Sequence, residues 1–150
     1  CPAGVEQGFK NAAAACREAI VITTPEMSAV RDADRVIGLL NTQGIQPVQL
    51  VLNRVRPKMV ANQEMLAVDD VTDILALPLL GLVVEDEQVI VSTNRGEPLT
   101  LNGTGSPAAR AYMNVARRLR GEGVPLIDPS KERRGLRARL MAKLRKSGKS

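Results

Sequence analysis

Histidine and tryptophan are missing from this 150-residue chain, cysteine occurs only at Cys1 and Cys16, and Phe9 and Tyr112 are its two aromatic residues. Each shortage removes a class of chemistry. Without histidine there is no Ser-His-Asp or Cys-His nucleophile system, no imidazole zinc ligand and no histidine acid or base. Two aromatic rings cannot build a platform for stacking successive bases, so a single-strand-binding fold is not expected. Two cysteines are too few for a disulfide scaffold. A run of about 18 apolar residues and a charged-then-apolar leader are both lacking, and a reducing, aqueous compartment is the expectation. Chemistry here has to use carboxylates, amides or a bound nucleotide.

What is present suits one ordinary domain: 44% of the residues are hydrophobic, so a core must come from Val, Ile, Leu, Ala and Met. Charge is unevenly spread. The net charge of +5 hides a tail, 131–150, with nine basic side chains and one acidic, and a body, 1–130, with 12 basic and 15 acidic. An acidic body with a basic tail reads as a globule carrying an electrostatic anchor, not as a basic nucleic-acid-binding domain. Cys1 stands where an initiator methionine would be, which points to a processed product or a piece of a longer protein. The expected division is a body over 1–128 and a linker with tail over 129–150.

Along the body, the Ala-rich stretch from Val5 to Cys16 permits a helix, and Ala19 to Thr24 is a β-branched apolar run stopped by Pro25. Ser28 predicts the N-cap of a helix reaching about Asn41, with Val30, Ala33, Ile37 and Leu40 on one stripe and Gly44 ending it. Val48 to Leu52 predicts a strand, Arg54 to Lys58 a loop, Val68 to Leu75 a short helix with an acidic first turn, and Leu77 to Val84 a third strand. Pro107 to Arg120 predicts the last helix of the body, with Ser106 as N-cap and proline at the first helical position. Near-continuous apolar strands alternating with helices give the α/β class: a parallel sheet with helices on both faces and right-handed crossovers. Ligands of such sheets bind beyond the carboxyl ends of the strands, here residues 23–26, 53–56 and 84–87.

Local motifs there each have two readings. The opening Cys1-Pro-Ala-Gly4 is either a frayed end or, placed after a strand, a loop whose glycine N–H meets a phosphate. Asn53 is either a turn residue or, through its donor and acceptor, a partner for the edge of adenine, with Arg54 over the ring or on a phosphate. Glu85-Asp86-Glu87 reads as a solvated turn, and a metal site made there alone is not expected. Asn94-Arg-Gly-Glu-Pro98 predicts a tight turn.

Five segments in order carry more than periodicity does: Cys1-Pro-Ala-Gly-Val-Glu-Gln-Gly-Phe-Lys-Asn11, Thr23-Thr-Pro-Glu-Met-Ser-Ala-Val-Arg-Asp-Ala-Asp-Arg35, Asn53-Arg-Val-Arg-Pro57, Met65-Leu-Ala-Val-Asp-Asp-Val71 and Ser92-Thr-Asn-Arg-Gly-Glu-Pro98. Together they resemble the MinD family of division-site-selecting ATPases, in its cyanobacterial or chloroplast style, over residues 1 to about 128. The resemblance implies a P-loop-type ATPase that uses ATP and Mg²⁺, forms an ATP-dependent homodimer, recruits a MinC-like division inhibitor, and is released by a MinE-like activator. It also implies a cytoplasmic protein held peripherally on the inner face of the membrane, or in the stroma of a plastid. By similarity, Gly4 belongs to the loop at the γ-phosphate, Asn53 and Arg54 to the adenine pocket, and Glu85 with Asp86 to the loop closing over the base. Asp32 and Asp34 start the helix that faces the inhibitor and activator; an acidic first turn complementing the helix dipole explains them equally well. Val84 stands where the family usually has proline. The Gly-rich phosphate loop and its lysines are not in this sequence, so the chain by itself is expected not to hydrolyse ATP.

In the tail, Leu136, Leu140 and Leu144 recur at every fourth residue with Met141 beside them, an apolar arc of about 140° on a helical wheel. Arg139, Lys143, Arg145 and Lys146 fall outside it, and Arg133 and Arg137 fall within it. The pattern predicts a basic amphipathic membrane-targeting helix that binds anionic lipid reversibly. A ParA-like partition ATPase holding DNA through its basic residues, and a non-catalytic membrane- or partner-binding module, are the rival readings. The acidic body and the confinement of positive charge to the tail argue against nucleic acid as a partner.

Overall fold

The computed structural model describes residues 7–102, 105–126 and 128. The order of elements is α1 (Gln7–Ala14), β1 (Ala19–Thr23), α2 (Met27–Thr42), β2 (Val48–Val55), α3 (Pro57–Ala61), α4 (Val68–Leu75), β3 (Leu79–Val84), α5 (Glu87–Arg95), α6 (Leu99–Asn102) and α7 (Pro107–Leu119). The three strands form one parallel sheet in the order β1-β2-β3.

Two apolar layers sandwich this sheet. On one face Val48, Leu50 and Leu52 of β2 pack with Phe9 and Ala13 of α1, with Val30, Ala33, Ile37 and Leu40 of α2, and with Val68, Val71 and Leu75 of α4. The opposite face joins Val51 of β2 and Leu80 and Val83 of β3 to Ala108, Tyr112 and Val115 of α7. Burial on both faces is why β2 reads as an unbroken apolar run rather than an alternating one. The predicted stripe of α2 is the buried one, and the helices over Val68–Leu75 and from Pro107 onward form where expected, the latter with Ser106 Oγ accepting from the Ala109 N–H at 3.1 Å.

Four local expectations are corrected. Helix α2 begins before Ser28, with Glu26 at its N-cap and no side-chain cap, because the extended backbone at Glu26 already releases the chain into the helix after Pro25. Asp32 and Asp34 therefore lie beyond the first turn, and the helix-dipole account of them fails. Strand β2 runs through Arg54 to Val55, so Asn53 is in the strand, not after it. Pro57 and Lys58, read as the end of a loop, open α3 (Pro57–Ala61), with Pro57 at its first turn where the missing N–H costs nothing.

Pairing of β2 with β3 slips twice, between Leu50 and Val51 and between Leu52 and Val55. In the second slip Leu52 pairs with Leu82 and Val55 with Val84, so β2 spends three residues where β3 spends two. Arg54 takes up the extra residue in the left-handed region, at φ 55°. The bulge lets Asn53 follow Val51 toward the α7 side while Val55 returns to the α2 layer, fully buried. Strict alternation would have put Val55 on the wrong face.

Candidate functional site

The carboxyl ends of β2 and β3, with α7, hold two groups of side chains: Asn53 with Tyr112, and Glu85 with Arg54 and Arg56. Asn53, half-buried, accepts at Oδ1 from the backbone N–H of Arg54 at 2.9 Å and from the Tyr112 hydroxyl at 3.4 Å. Arg54 and Glu85 meet: Arg54 Nη2 donates to Glu85 Oε1 at 3.1 Å and Nε donates to it at 3.4 Å. Arg56, which the sequence left without a role, joins them; its Nη2 donates to Glu85 Oε1 at 3.0 Å and its Nε donates to Oε2. The signal for Arg56 was its two-residue spacing from Arg54, hidden because a bulge was not foreseen.

Electrostatics follow from these contacts. The Arg56 hydrogen bond, then that of Arg54, holds the Glu85 carboxyl below the usual range against the opposing effect of desolvation, and Glu85 in turn raises Arg56. One carboxylate between two guanidinium groups leaves one positive charge in excess within this cluster, at groups that remain exposed. Such a pair of arginines can exchange its carboxylate for an anionic or planar ligand.

Asp86 serves the frame. Its Oδ1 accepts from the Gln88 N–H at 3.0 Å and caps α5, while its Oδ2 accepts from the Ser106 hydroxyl at 2.6 Å and the Ala108 N–H at 3.3 Å at the start of α7. These bonds, the Ser106 hydroxyl foremost, hold its carboxyl below the ordinary value. All its geometry goes into fixing two helix N-termini, one of which leads to Tyr112.

Other predicted residues are elsewhere. Asp32 and Asp34 are exposed on α2, with Asp32 in a 3.8 Å contact with Arg35. Gly4 and the tail residues Leu136, Arg139, Leu140, Met141, Lys143 and Leu144 lie outside the described residues. A depression of about 390 Å³ lined by Val55, Arg56, Pro57, Lys58, Met59 and Glu85 adjoins the arginine pair, and a larger one of about 520 Å³ lies between the start of α2 and the α3–α4 connection. No group of three metal-ligating side chains occurs among the described residues, and no described helix is long and apolar enough to cross a membrane.

No family model matches the chain. It is 52% identical over 128 residues to the septum site-determining protein MinD of Synechocystis sp., a match covering 85% of this chain and 48% of that protein. The MinC:MinD cell division protein complex of Aquifex aeolicus is similar in structure, with a TM-score of 0.79 and 40% identity over 84% of this chain and 51% of that one. The septum site-determining MinD of Pyrococcus horikoshii, complexed with Mg-ADP, superposes with a TM-score of 0.68 at 26% identity, covering 79% of this chain and 47% of that one. The parallel α/β architecture read from the sequence is the fold shared with these structures. The chain spans about half the length of the curated relatives it matches. Over those matched residues, this chain is a homologue of the MinD septum site-determining proteins and belongs with their family.

Proposed function

We propose that the chain supplies the base-side wall of the nucleotide site in a MinD-type ATPase that places the division septum, with the half that its relatives carry and this chain does not supplying the triphosphate cradle. The observation that carries this reading is that the half-buried Asn53 amide and the Arg54–Glu85–Arg56 cluster both stand at the carboxyl ends of two parallel strands, where open α/β sheets bind ligands. A similar protein holds Mg-ADP. An amide and two guanidinium groups fit a purine base and its attached phosphates; among the described residues no group of three metal-ligating side chains gathers for Mg²⁺. Arg54 and Arg56 bind and orient, Glu85 bridges them, and the Asp86 bonds to the start of α7 fix the wall.

In this reading Gly4 lies toward the γ-phosphate, Asp32 and Asp34 face a MinC-like inhibitor and a MinE-like activator, ATP drives dimerisation, and the basic tail brings the protein to an anionic membrane. The chain alone binds nucleotide weakly and does not turn it over. Equilibrium titration of the complete protein with ATP tests the assignment: Asn53→Ala weakens binding by roughly 5- to 100-fold, since removing the amide leaves base groups unmatched. An unchanged dissociation constant would refute the base-side role.

A further inference from the structure

The orientation of the Asn53 amide is decided by its neighbours. Its Oδ1 faces the main-chain N–H of Arg54 at 2.9 Å; a main-chain N–H only donates, so the atom opposite it is the oxygen. The second lone pair of that oxygen takes the Tyr112 hydroxyl at 3.4 Å. An amide oxygen has two lone pairs, and both are engaged. No buried side-chain nitrogen or oxygen lacks a partner among the described residues, so the Nδ2 hydrogens, for which the described residues provide no acceptor, are open to solvent at the strand ends.

Tyr112 holds its place through contacts of its own. Asp86 fixes the start of α7 through Ser106 and Ala108, and one turn beyond Tyr112 the side chain of Val115 lies against Gly81 of β3, where a Cβ would collide with it. The helix cannot slide or roll away from β2 without breaking one of these contacts.

Resting on the base-binding reading above, we propose that Tyr112 is a specificity-determining residue: by occupying the second lone pair of Asn53 Oδ1 it leaves the amide a pure donor, which reads an acceptor nitrogen of a purine ring and not the exocyclic 6-amino group. Bidentate reading of adenine by an amide needs its donor and its acceptor together. Here the acceptor half is spent inside the protein. The 6-amino group is then either read by another residue or not read, and the contribution of Asn53 to affinity is independent of it.

The test is an equilibrium titration of the complete protein with ATP and with purine riboside triphosphate, which lacks the 6-amino group, in wild type, Asn53→Ala, Asn53→Asp and Tyr112→Phe. Asn53→Ala should weaken both ligands by the same factor. Asn53→Asp, which keeps the acceptor for Arg54 and Tyr112 and loses the donors, should weaken both at least as much. Tyr112→Phe keeps the ring but frees the lone pair, so its preference for ATP over the purine analogue should rise about 3- to 10-fold. Loss of ATP binding alone in Asn53→Ala, retention of affinity in Asn53→Asp, or an unchanged preference in Tyr112→Phe would each overturn the proposal. If Asn53→Ala alters neither affinity, the base-binding reading itself fails and the proposal falls with it. Should Tyr112→Phe not fold, the two Asn53 variants decide.

Discussion

At the residue scale, Asp86 shows how one carboxylate can hold two helices at once beside the candidate site. It caps α5 and ties down the start of α7, so Asp86→Ala removes acceptors from two helix N-termini at once. A cost of about 1–2 kcal/mol is expected at neutral pH, read by urea unfolding. The folded carboxyl titrates below its ordinary value, chiefly because Ser106 donates to the charged form. Its stabilisation is thus fully present above the unfolded value of about 4 and is lost as pH falls through the lower folded value. The stability gap between wild type and Asp86→Ala should accordingly narrow when unfolding is repeated near pH 3; a constant gap would show that the charge on Asp86 is not what the caps use.

At the scale of elements, α7 packs close on β3 at Gly81. Gly81 is buried without a side chain, and a Cβ there would collide with Cγ2 of Val115. Valine is stiff about χ1 and cannot swing aside. Gly81→Ala should therefore destabilise the chain by about 1–3 kcal/mol, the usual cost of overpacking. Combining it with Val115→Ala restores room, so the double variant should lose less than the two single losses together. Additive losses in thermal unfolding would mean that the clash is relieved by movement of the whole helix. Because α7 carries Tyr112, the Gly81 variant should also disturb the Asn53 contact.

For the whole molecule, the two faces of the sheet are covered unequally. The α2 layer extends across β1, whereas on the other face Ile20 and Ile22 of β1 remain 42% and 64% exposed. Adjacent β-branched side chains on an edge strand favour association. The chain studied alone should self-associate with rising concentration, and Ile20→Thr with Ile22→Thr should shift it toward monomer in light scattering while keeping strand propensity. No change would mean that association, if seen, uses another surface. The tail predicts a second whole-molecule property. Leu140→Ser with Leu144→Ser leaves its charge intact, so co-sedimentation with anionic liposomes should fall several-fold while affinity for duplex DNA stays within about 2-fold. Undiminished liposome binding would promote a generic basic arm over an inserting helix.

Local sequence determined the core stripe of α2, the helix over Val68–Leu75, the capped start of α7 and the parallel α/β class, because each follows from periodicity and caps within a few residues. Sequence also placed Asn53, Arg54 and Glu85 at strand ends where a ligand is expected. It did not show that β2 continues past Asn53, since a bulge depends on register against β3 and Arg54 looks polar enough to end a strand. The union of Arg56 with Glu85, 29 residues apart, and of Tyr112 with Asn53, 59 apart, is likewise a matter of which ends the sheet brings together. Asp86 read locally as part of an acidic turn; only packing of α7 against β3 brought it a serine hydroxyl and a second helix to cap. Tertiary structure decided these because a side chain's partners at a sheet edge come from neighbouring strands and helices, whose register no local pattern encodes.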